Sequence, residues 1–420
     1  MKKNLITLCF CGCLLYGNAQ PDSTQLSLQK AEQIFISRNL TLIAERYNID
    51  IAQAKITQVK LWDNPSLSLE QNIYNRLNDK YFDVGKDGEA SVEIEQIIQI
   101  AGQRNKRIKL EKINKENAKY QFEEVLRTLK SKLRETCIEI YFDNRSVKVY
   151  DTEIAALKLL LNTYQEQHQK GNLSLLEISR LEALLFSLEK DKSEITARLI
   201  ENKETLNLLL NYEAGKPISP IIDTSVADKY KLEEIPYNDL CLTLTERPDI
   251  KISHTELQAS KANLKLQKSM AAPEFAVKGI YDRAGNFINN YFAIGINISI
   301  PLFDRNQGNI KAARFDIQKK IKEKDLSIEK ARSEVYATYS QLKRALQLYR
   351  SGNSELENNF DTLISGVNEN FKLRNISMLE FIDYYESYKE VCLQLCESRK
   401  NVFLLMEKLN TLTGKNIFNY

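Results

Sequence analysis

Hydrophobic positions change their period several times along the chain, and each change predicts a change of secondary structure. Residues 28–61 carry apolar side chains every three to four positions, which predicts amphipathic helices. A polar stretch at 37–41 divides this region, and Asn39 or Thr41 is suited to cap the second helix. After Pro65 the period becomes two, which predicts strands. Four segments alternate in this way, at 66–75, 91–100, 274–281 and 291–300.

Very long helical patterns follow each pair of predicted strands. We expect four of them, at 103–170, 175–212, 304–373 and 377–412. The first contains neither proline nor glycine, and at ~1.5 Å per residue it would reach on the order of 100 Å. Gly171 is suited to the left-handed turn after it, and at the equivalent turn we expect Asn375 rather than Arg374 in that conformation. The apolar seams of such extended pairs must be buried against each other and against neighbouring chains.

The whole order of elements occurs twice, about 200 residues apart, which is much longer than a solenoid repeat. Ala54 aligns with Ala262 and Pro65 with Pro273. The predicted division is a first repeat at 20–214, an irregular connection packed on the outside at 215–240, a second repeat at 241–415 and a tail at 416–420.

The first 19 residues resemble a signal peptide. Lys2 and Lys3 precede an apolar stretch, and Gly17-Asn18-Ala19 offers a cleavage site before Gln20. Past it, no apolar run of 18 or more residues occurs, so a membrane would have to be crossed by a barrel. Four strands are too few to close one, since the smallest bacterial barrels use about eight. Either the strands pack on soluble structure, or several chains share one barrel.

Composition argues against other classes of protein. The 59 basic and 56 acidic residues are interspersed, which excludes an obvious nucleic-acid surface. His168 and His254 lack catalytic or metal-ligand spacing, and no glycine-rich phosphate loop occurs. We therefore expect no enzyme, no cofactor and no metal site. Cys392 and Cys396 are interpreted as small core residues.

Several motifs together resemble the TolC family of outer-membrane efflux proteins. They are the proline before each first strand, ISIPLFDRNQGNI at 298–310, the turns GNLSLLE at 171–177 and RNISMLE at 374–380, and the closing NTLTG at 410–414. The resemblance implies a mainly α fold with a β-barrel portion: a homotrimer with a 12-stranded outer-membrane barrel, continued by a periplasmic α-helical tunnel, in a Gram-negative bacterium. The residues then implied to face the barrel lumen are Glu70, Glu93, Glu95, Lys278, Asn297 and Ser299.

The same resemblance implies a passive conduit, with outer-membrane lipid around it, that works with a periplasmic membrane-fusion adaptor and an inner-membrane RND-type pump. The motif at 301–310 and its counterpart at 100–106 are similar to the CzcC-type branch, which implies heavy-metal cation efflux. Matching the turns implies a periplasmic gate at Glu380, Asp383 and Glu177, although carboxylates also suit the positive start of a helix. The implied adaptor-docking tips are Gly171, Asn172, Leu173, Ser174, Arg374, Asn375, Ile376 and Ser377. The strand-to-helix junctions are Pro65, Pro273, Pro301, Arg305 and Gly308, where the glycine is expected to relieve crowding.

Two alternatives remain open at this point. A channel of the same family could instead export drugs, other small molecules or polypeptides. A periplasmic coiled-coil scaffold would explain the helices and the signal peptide, but not alternating strands placed twice at the same point of a repeat.

Overall fold

The computed structural model describes residues 24–85, 87–230, 235–284, 288–351 and 354–420, with the backbone alone at 354–361. The predicted signal peptide at 1–19 lies outside these residues. Contacts divide the chain into two compact units. Unit 1 contains the described part of Met1–Phe35 together with Thr136–Asp223 and Leu363–Cys396. Unit 2 contains the described parts of Ile36–Glu135, Thr224–Thr362 and Glu397–Tyr420.

The opening helices form as the sequence predicts. Helix α1 spans Leu28–Arg38 and α2 spans Leu40–Val59. Of the two candidate caps, Asn39 is the one used: its Oδ1 accepts from the Leu42 N–H at 3.0 Å. This bond satisfies one of the free N–H groups at the start of α2.

Unit 2 holds a four-stranded antiparallel sheet. Its strands are β2 (Ser66–Gln71), β5 (Ala90–Ile98), β7 (Glu274–Asp282) and β8 (Tyr291–Ser299), which pair in the order β2-β5-β7-β8. The two hairpins meet where β5 pairs with β7, with Glu95 opposite Lys278. The strand predicted at 66–75 is shorter than expected. Its last residues belong to a separate small hairpin, formed by β3 (Tyr74–Asn75) and β4 (Lys80–Tyr81).

The small hairpin of β3 and β4 is held by the buried carboxylate of Asp83. Its oxygens accept from the Asn78 and Asn75 amides at 2.5 and 3.1 Å and from the Gly85 N–H at 2.8 Å. The Asn78 bond, followed by those from Gly85 and Asn75, lowers the pKa of Asp83 below its ordinary value. Gly88 is required here, because a Cβ would lie 1.8 Å from the Asp83 carbonyl oxygen.

The long helices follow the sheet. They are α3 (Gln103–Gln169), α4 (Leu175–Leu210), α8 (Gln307–Ser351), α9 (Ser354–Lys372) and α10 (Met378–Thr413). One helix was expected over 304–373; the structure describes α8 and α9 there, with residues 352–353 between them outside the described part.

No helix among the described residues is both long enough and apolar enough to cross a membrane.

The connection between the repeats is more regular than the sequence predicts. Strand β6 (Ile218–Ile221) pairs in parallel with β1 (Thr24–Ser27), a strand that sequence patterning missed. The short helices α5 (Val226–Lys229) and α6 (Tyr237–Leu242) follow, and α7 (Pro248–Ser269) comes after a 3₁₀ turn. The expectation of an irregular connection is therefore wrong at β6, where Ile218 is buried and pairs with Thr24 of β1.

The end of the chain folds back onto unit 2. Asn410 Oδ1 accepts from the Ile417 and Phe418 N–H groups at 2.7 and 2.9 Å, and its amide donates to the Phe418 carbonyl at 2.8 Å. Phe418 is fully buried. The predicted tail at 416–420 is thus a packed segment that covers the last turn of α10.

Candidate functional site

Every charged side chain in the four-stranded sheet lies on one face. The pairing of Glu70 with Ser91, Glu95 with Lys278 and Glu274 with Ser299 puts these residues on the same side of the pleat. The face carries five carboxylates and one ammonium group. They are Glu70, Glu93, Glu95, Glu274, Asp282 and Lys278.

The single lysine of this face is paired with two of the carboxylates. Lys278 Nζ lies 2.9 Å from Glu93 Oε1 and 3.5 Å from Glu95 Oε2. The Ser91 hydroxyl donates to Glu70 at 3.4 Å, and Asn297 and Ser299 continue the polar face on β8. The structure therefore gathers all six predicted lumen residues on one surface, and negative charge remains in excess there.

The opposite face of the sheet is mainly apolar and exposed, with Gln71 and Gln96 as its uncharged polar residues. The registers place Leu67 with Ile94, Val92 with Tyr281 and Phe275 with Ile298 on this side. Its most exposed side chains are Leu69, Phe292, Ile294 and Ile296. A soluble monomer rarely exposes so continuous an apolar surface.

The two helical tips in unit 1 have the same backbone geometry. After α3, the Gly171 and Asn172 N–H groups donate to the His168 and Gln167 carbonyls at 2.8 and 3.0 Å. At the other tip, Arg374 and Asn375 make the same two bonds to Phe371 and Asn370, at 3.0 and 2.8 Å. Both are helix C-caps in which one residue must be left-handed.

The residue that takes the left-handed conformation at the second tip is Arg374. Its φ is +61°, close to the +76° of Gly171. The expectation that Asn375 takes this role is therefore wrong. The hydrogen bonds explain why: the left-handed residue is the one directly before the residue whose N–H reaches back five positions, and at this tip that N–H belongs to Asn375.

The predicted gate carboxylates start the returning helices. Ser174 and Glu177 form a capping box at α4, and Ser377 and Glu380 repeat it at α10. The Glu380 carboxylate accepts from the Ser377 N–H and hydroxyl at 2.7 and 2.8 Å, which lowers its pKa. Asp383 is exposed on the next turn. Two of the three gate candidates thus have a defined structural role in helix capping.

Some of the predicted docking residues have structural roles within the chain. Ser174 and Ser377 are helix caps, and Ile376 packs partly against the apolar cluster of unit 1. The more exposed apolar side chains beside them were missed by sequence reasoning. They are Leu175, Leu176, Leu373 and Leu379. Between the tips lies a polar cavity of about 640 Å³, lined by residues of both turns.

The junctions between strands and helices lie where the sequence predicts. Pro65 and Pro273 precede β2 and β7, and Pro301 follows β8. The Arg305 guanidinium donates to the Leu302 carbonyl at 3.1 Å, which closes the turn. These positions suit proline and a tight turn, because no ladder hydrogen bond is lost there.

Gly308 does not have the predicted role. It lies inside α8, and an added Cβ would meet no atom within 4 Å, so it relieves no crowding within the chain. The residue that joins the elements is Asn306. Its φ is +55°, and its amide donates to both the backbone and the side-chain oxygen of Gln267 in α7, at 2.8 and 2.9 Å.

Among the described residues, no group of three or more His, Cys, Asp or Glu side chains is arranged to hold a metal ion. Unit 2 instead contains a buried ion pair that sequence reasoning missed. Arg134 lies 3.1 Å from Glu407, which also accepts from the Tyr420 hydroxyl at 2.5 Å. Burial is the main cause of a raised pKa at Glu407, and Arg134 opposes it.

The sequence pattern of the family described as "Outer membrane efflux protein" matches residues 33–212 and 240–361, well over half of the chain. The chain belongs to the outer membrane efflux protein family. Membership places it in the outer membrane, in an efflux rather than an enzymatic role, and confirms the family resemblance drawn from the sequence.

A relative of this efflux protein is the cobalt-zinc-cadmium resistance protein CzcC of Cupriavidus metallidurans. It is 22% identical over 290 residues, which make up 69% of this chain. The matched part spans 66% of the relative's own length, just under two thirds.

Solved structures of outer-membrane channels share the fold of this efflux protein. The CmeC channel of Campylobacter jejuni matches with a TM-score of 0.77 and 14% identity, over 99% of this chain and 94% of CmeC. CusC, described in crystal structures of folding and transmembrane channel formation, matches with a TM-score of 0.73 and 16% identity over 96% of each chain. The open MtrE channel of Neisseria gonorrhoeae matches with a TM-score of 0.72 and 14% identity, over 93% of this chain and 89% of MtrE. These matches confirm the predicted fold class, mainly α with a β portion.

Proposed function

We propose that three copies of this chain form the outer-membrane channel of a tripartite efflux system that exports heavy-metal cations. The observation that carries the proposal is the sheet, in which every charged side chain lies on one face and an apolar surface covers the other. Such a sheet fits a wall with lipid on one side and water on the other.

The edges of the sheet support the proposed number of copies. Within the described part of the chain, strands β2 and β8 each have one neighbour, so each leaves a row of backbone groups open. In lipid these groups must be paired, which closure with other copies achieves. Two copies of the four-stranded sheet would form a barrel of eight strands, whose interior is filled by its own side chains. Three copies supply 12 strands and leave room for a conduit.

The oligomer is tested on the purified full-length protein. We expect a heat-modifiable trimer on denaturing gels and a trimer mass in detergent by light scattering. A dimer, or a monomer in the soluble fraction, would instead support a periplasmic scaffold.

Cation export is supported by the charge of the polar face. Rings of carboxylates around a pore favour cations and repel anions, and this face carries an excess of carboxylates. Similarity to the cobalt-zinc-cadmium resistance protein points to the same cargo class. The adaptor, the RND-type pump and the surrounding outer-membrane lipid complete the proposed assembly.

The cargo is tested in cells. A strain lacking this protein should become sensitive to zinc, cobalt or cadmium and recover on complementation. Sensitivity to dyes or antibiotics with unchanged metal tolerance would favour the alternative of small-molecule export by the same kind of channel.

The charge of the polar face is tested in planar bilayers. Glu70→Gln removes one carboxylate per chain while it keeps the shape of the side chain, so the preference for cations should fall. Asn297→Ser is the matched control, because it changes an uncharged residue on the same face. An equal effect of both variants would overturn the assignment of this face to the lumen.

We also propose that Glu380, Asp383 and Glu177 surround the periplasmic constriction. The double variant Glu380→Gln with Asp383→Asn is suited to the test, because glutamine keeps the capping box. Lower cation selectivity in single-channel recordings would support the proposal, and unchanged selectivity would contradict it.

The adaptor is proposed to dock on the helical tips, with exposed leucines supplying the apolar contact. Leu176→Glu should abolish efflux while trimer formation stays intact. Leu208→Glu is the matched control, since Leu208 is similarly exposed near the other end of α4. Loss of efflux in both variants would place the fault in folding rather than docking.

A further inference from the structure

A buried carboxyl group lies among the long helices of unit 1. Glu153 on α3 is only 2% exposed, and neither of its carboxylate oxygens has a hydrogen-bond partner among the residues that the structure describes. Taking an ionised carboxylate out of water without hydrogen bonds is costly, so this site favours the neutral form. Helix capping, the predicted gate and the sheet make no use of this group.

The apolar cluster around Glu153 contains residues from both helical pairs, which are α3 with α4 and α9 with α10. Tyr150, Ile154 and Leu157 of α3 belong to the same buried cluster as Leu181 of α4 and Phe381 of α10. A change of charge within this cluster therefore acts where the pairs meet.

Four aromatic rings run through that cluster, and we call them the aromatic stack. Tyr164 of α3 stacks on Phe371 of α9, with 5.4 Å between the ring centroids. Phe371 stacks in turn on Phe381 of α10, with a centroid distance of 4.2 Å, and the centroids of Phe381 and Tyr385 are 4.6 Å apart. The Tyr385 hydroxyl donates to the Asn368 amide oxygen of α9 at 3.1 Å. Tyr385 belongs to the same buried cluster as Tyr150 and Ile154, which flank Glu153 on α3. Burial, with a smaller contribution from the charge of Glu153, raises the pKa of Tyr385.

Among the described residues, few charged groups near Glu153 offset the cost of burying its negative charge. From α10, Lys389 faces it and lowers its pKa, but Lys389 is also 3.9 Å from Asp191 of α4. Lys192 of α4 is occupied by Asp151 at 2.5 Å, and α9 contributes the uncharged Asn368. Burial outweighs Lys389 and raises the pKa of Glu153 to about 7.

We propose that Glu153 makes the packing between the two helical pairs depend on pH. When the carboxyl is protonated, α3 packs against α9 and α10 through the aromatic stack. When it ionises, the charge draws water into the cluster and the pairs separate more readily.

The direction follows from proton linkage. The packed state holds a proton that the opened state releases, because burial raises the pKa of the packed carboxyl above its ordinary value. Packing is therefore strongest at low pH. It weakens as the pH rises through about 7, and changes little above about 8.

Hydrogen–deuterium exchange of the full-length protein in detergent tests this inference without reference to transport. Rates of peptides from 150–165 and 378–390 are corrected for the intrinsic effect of pH. In the wild type, opening should increase on the order of tenfold between pH 5.5 and pH 8. Glu153→Gln, which cannot ionise, should remove this dependence.

Two further variants make the outcome decisive. Glu153→Leu should also be insensitive to pH, and it has no polar group to leave unsatisfied. Glu166→Gln changes an exposed carboxylate on the same helix and should behave as the wild type. A wild type without pH dependence, or a Glu153→Gln variant that keeps it, overturns the proposal.

Discussion

One residue at each helical tip sets the backbone of the turn. Gly171 and Arg374 both have a positive φ, and both precede the residue whose N–H reaches back five positions. Glycine adopts this conformation freely, whereas a residue with a Cβ adopts it at a cost of about 1–2 kcal/mol. The second tip is therefore strained where the first is not.

Arg374→Gly should relieve this strain. We expect the free energy of unfolding to rise by about 1 kcal/mol, which thermal unfolding followed by circular dichroism would detect as a higher midpoint. Gly171→Ala is the opposite test and should lower the midpoint. A lower midpoint for Arg374→Gly would show that the guanidinium contributes more than the backbone loses.

The side-chain amide of Asn410 holds the C-terminal segment against the last turn of α10. Asn410→Ala would leave the Ile417 and Phe418 N–H groups and the Phe418 carbonyl without their partner, at a cost of about 2–3 kcal/mol. Chemical unfolding of the purified protein measures this loss. Asn401→Ala, on the exposed side of the same helix, should change stability by less than about 0.5 kcal/mol.

At the scale of elements, the sequence predicted strands and helices that show a regular hydrophobic period, and it missed contacts between residues far apart in the chain. Long runs with one period identify the four sheet strands and the long helices, because burial of one face imposes that period. Strand β1 has four residues, too few for a period to show, and it exists because β6 pairs with it. The partner of a buried charge such as Arg134 lies 273 residues away and leaves no local signal.

The sequence also predicted the position of the candidate site but not all of its local geometry. Alternation identified the polar face of the sheet, and the repeated turns located both tips. The left-handed residue at the second tip was assigned wrongly because composition favours asparagine, whereas hydrogen-bond geometry selects Arg374.

The joint between α7 and α8 provides a test at this scale. Asn306→Ala should lose the two bonds to Gln267 and strain the left-handed backbone, which lowers the free energy of unfolding by about 2–3 kcal/mol. Asn306→Gly keeps the backbone conformation and should lose less. Equal losses would mean that the side-chain bonds alone account for the stability of the joint.

At the scale of the whole molecule, the two faces of the sheet make opposite demands. Ile294 and Asn297 lie on the same strand, on the apolar and the polar face respectively. A lysine on the lipid side of a barrel costs about 2–4 kcal/mol near the middle of the bilayer, whereas a lysine facing water costs little. The two positions therefore form a matched pair.

Ile294→Lys should reduce the amount of protein recovered in the outer-membrane fraction, and Asn297→Lys should leave it near the wild-type amount. Fractionation with quantitative blotting measures both. Similar recovery of the two variants would show that the apolar face does not meet lipid.

The open edges of β2 and β8, together with the apolar face between them, matter before the channel exists. A newly made chain presents unpaired strands beside an exposed apolar surface, which is the combination that promotes aggregation in water. Between synthesis and insertion, each copy must therefore be shielded by an escort protein or must keep this sheet unfolded.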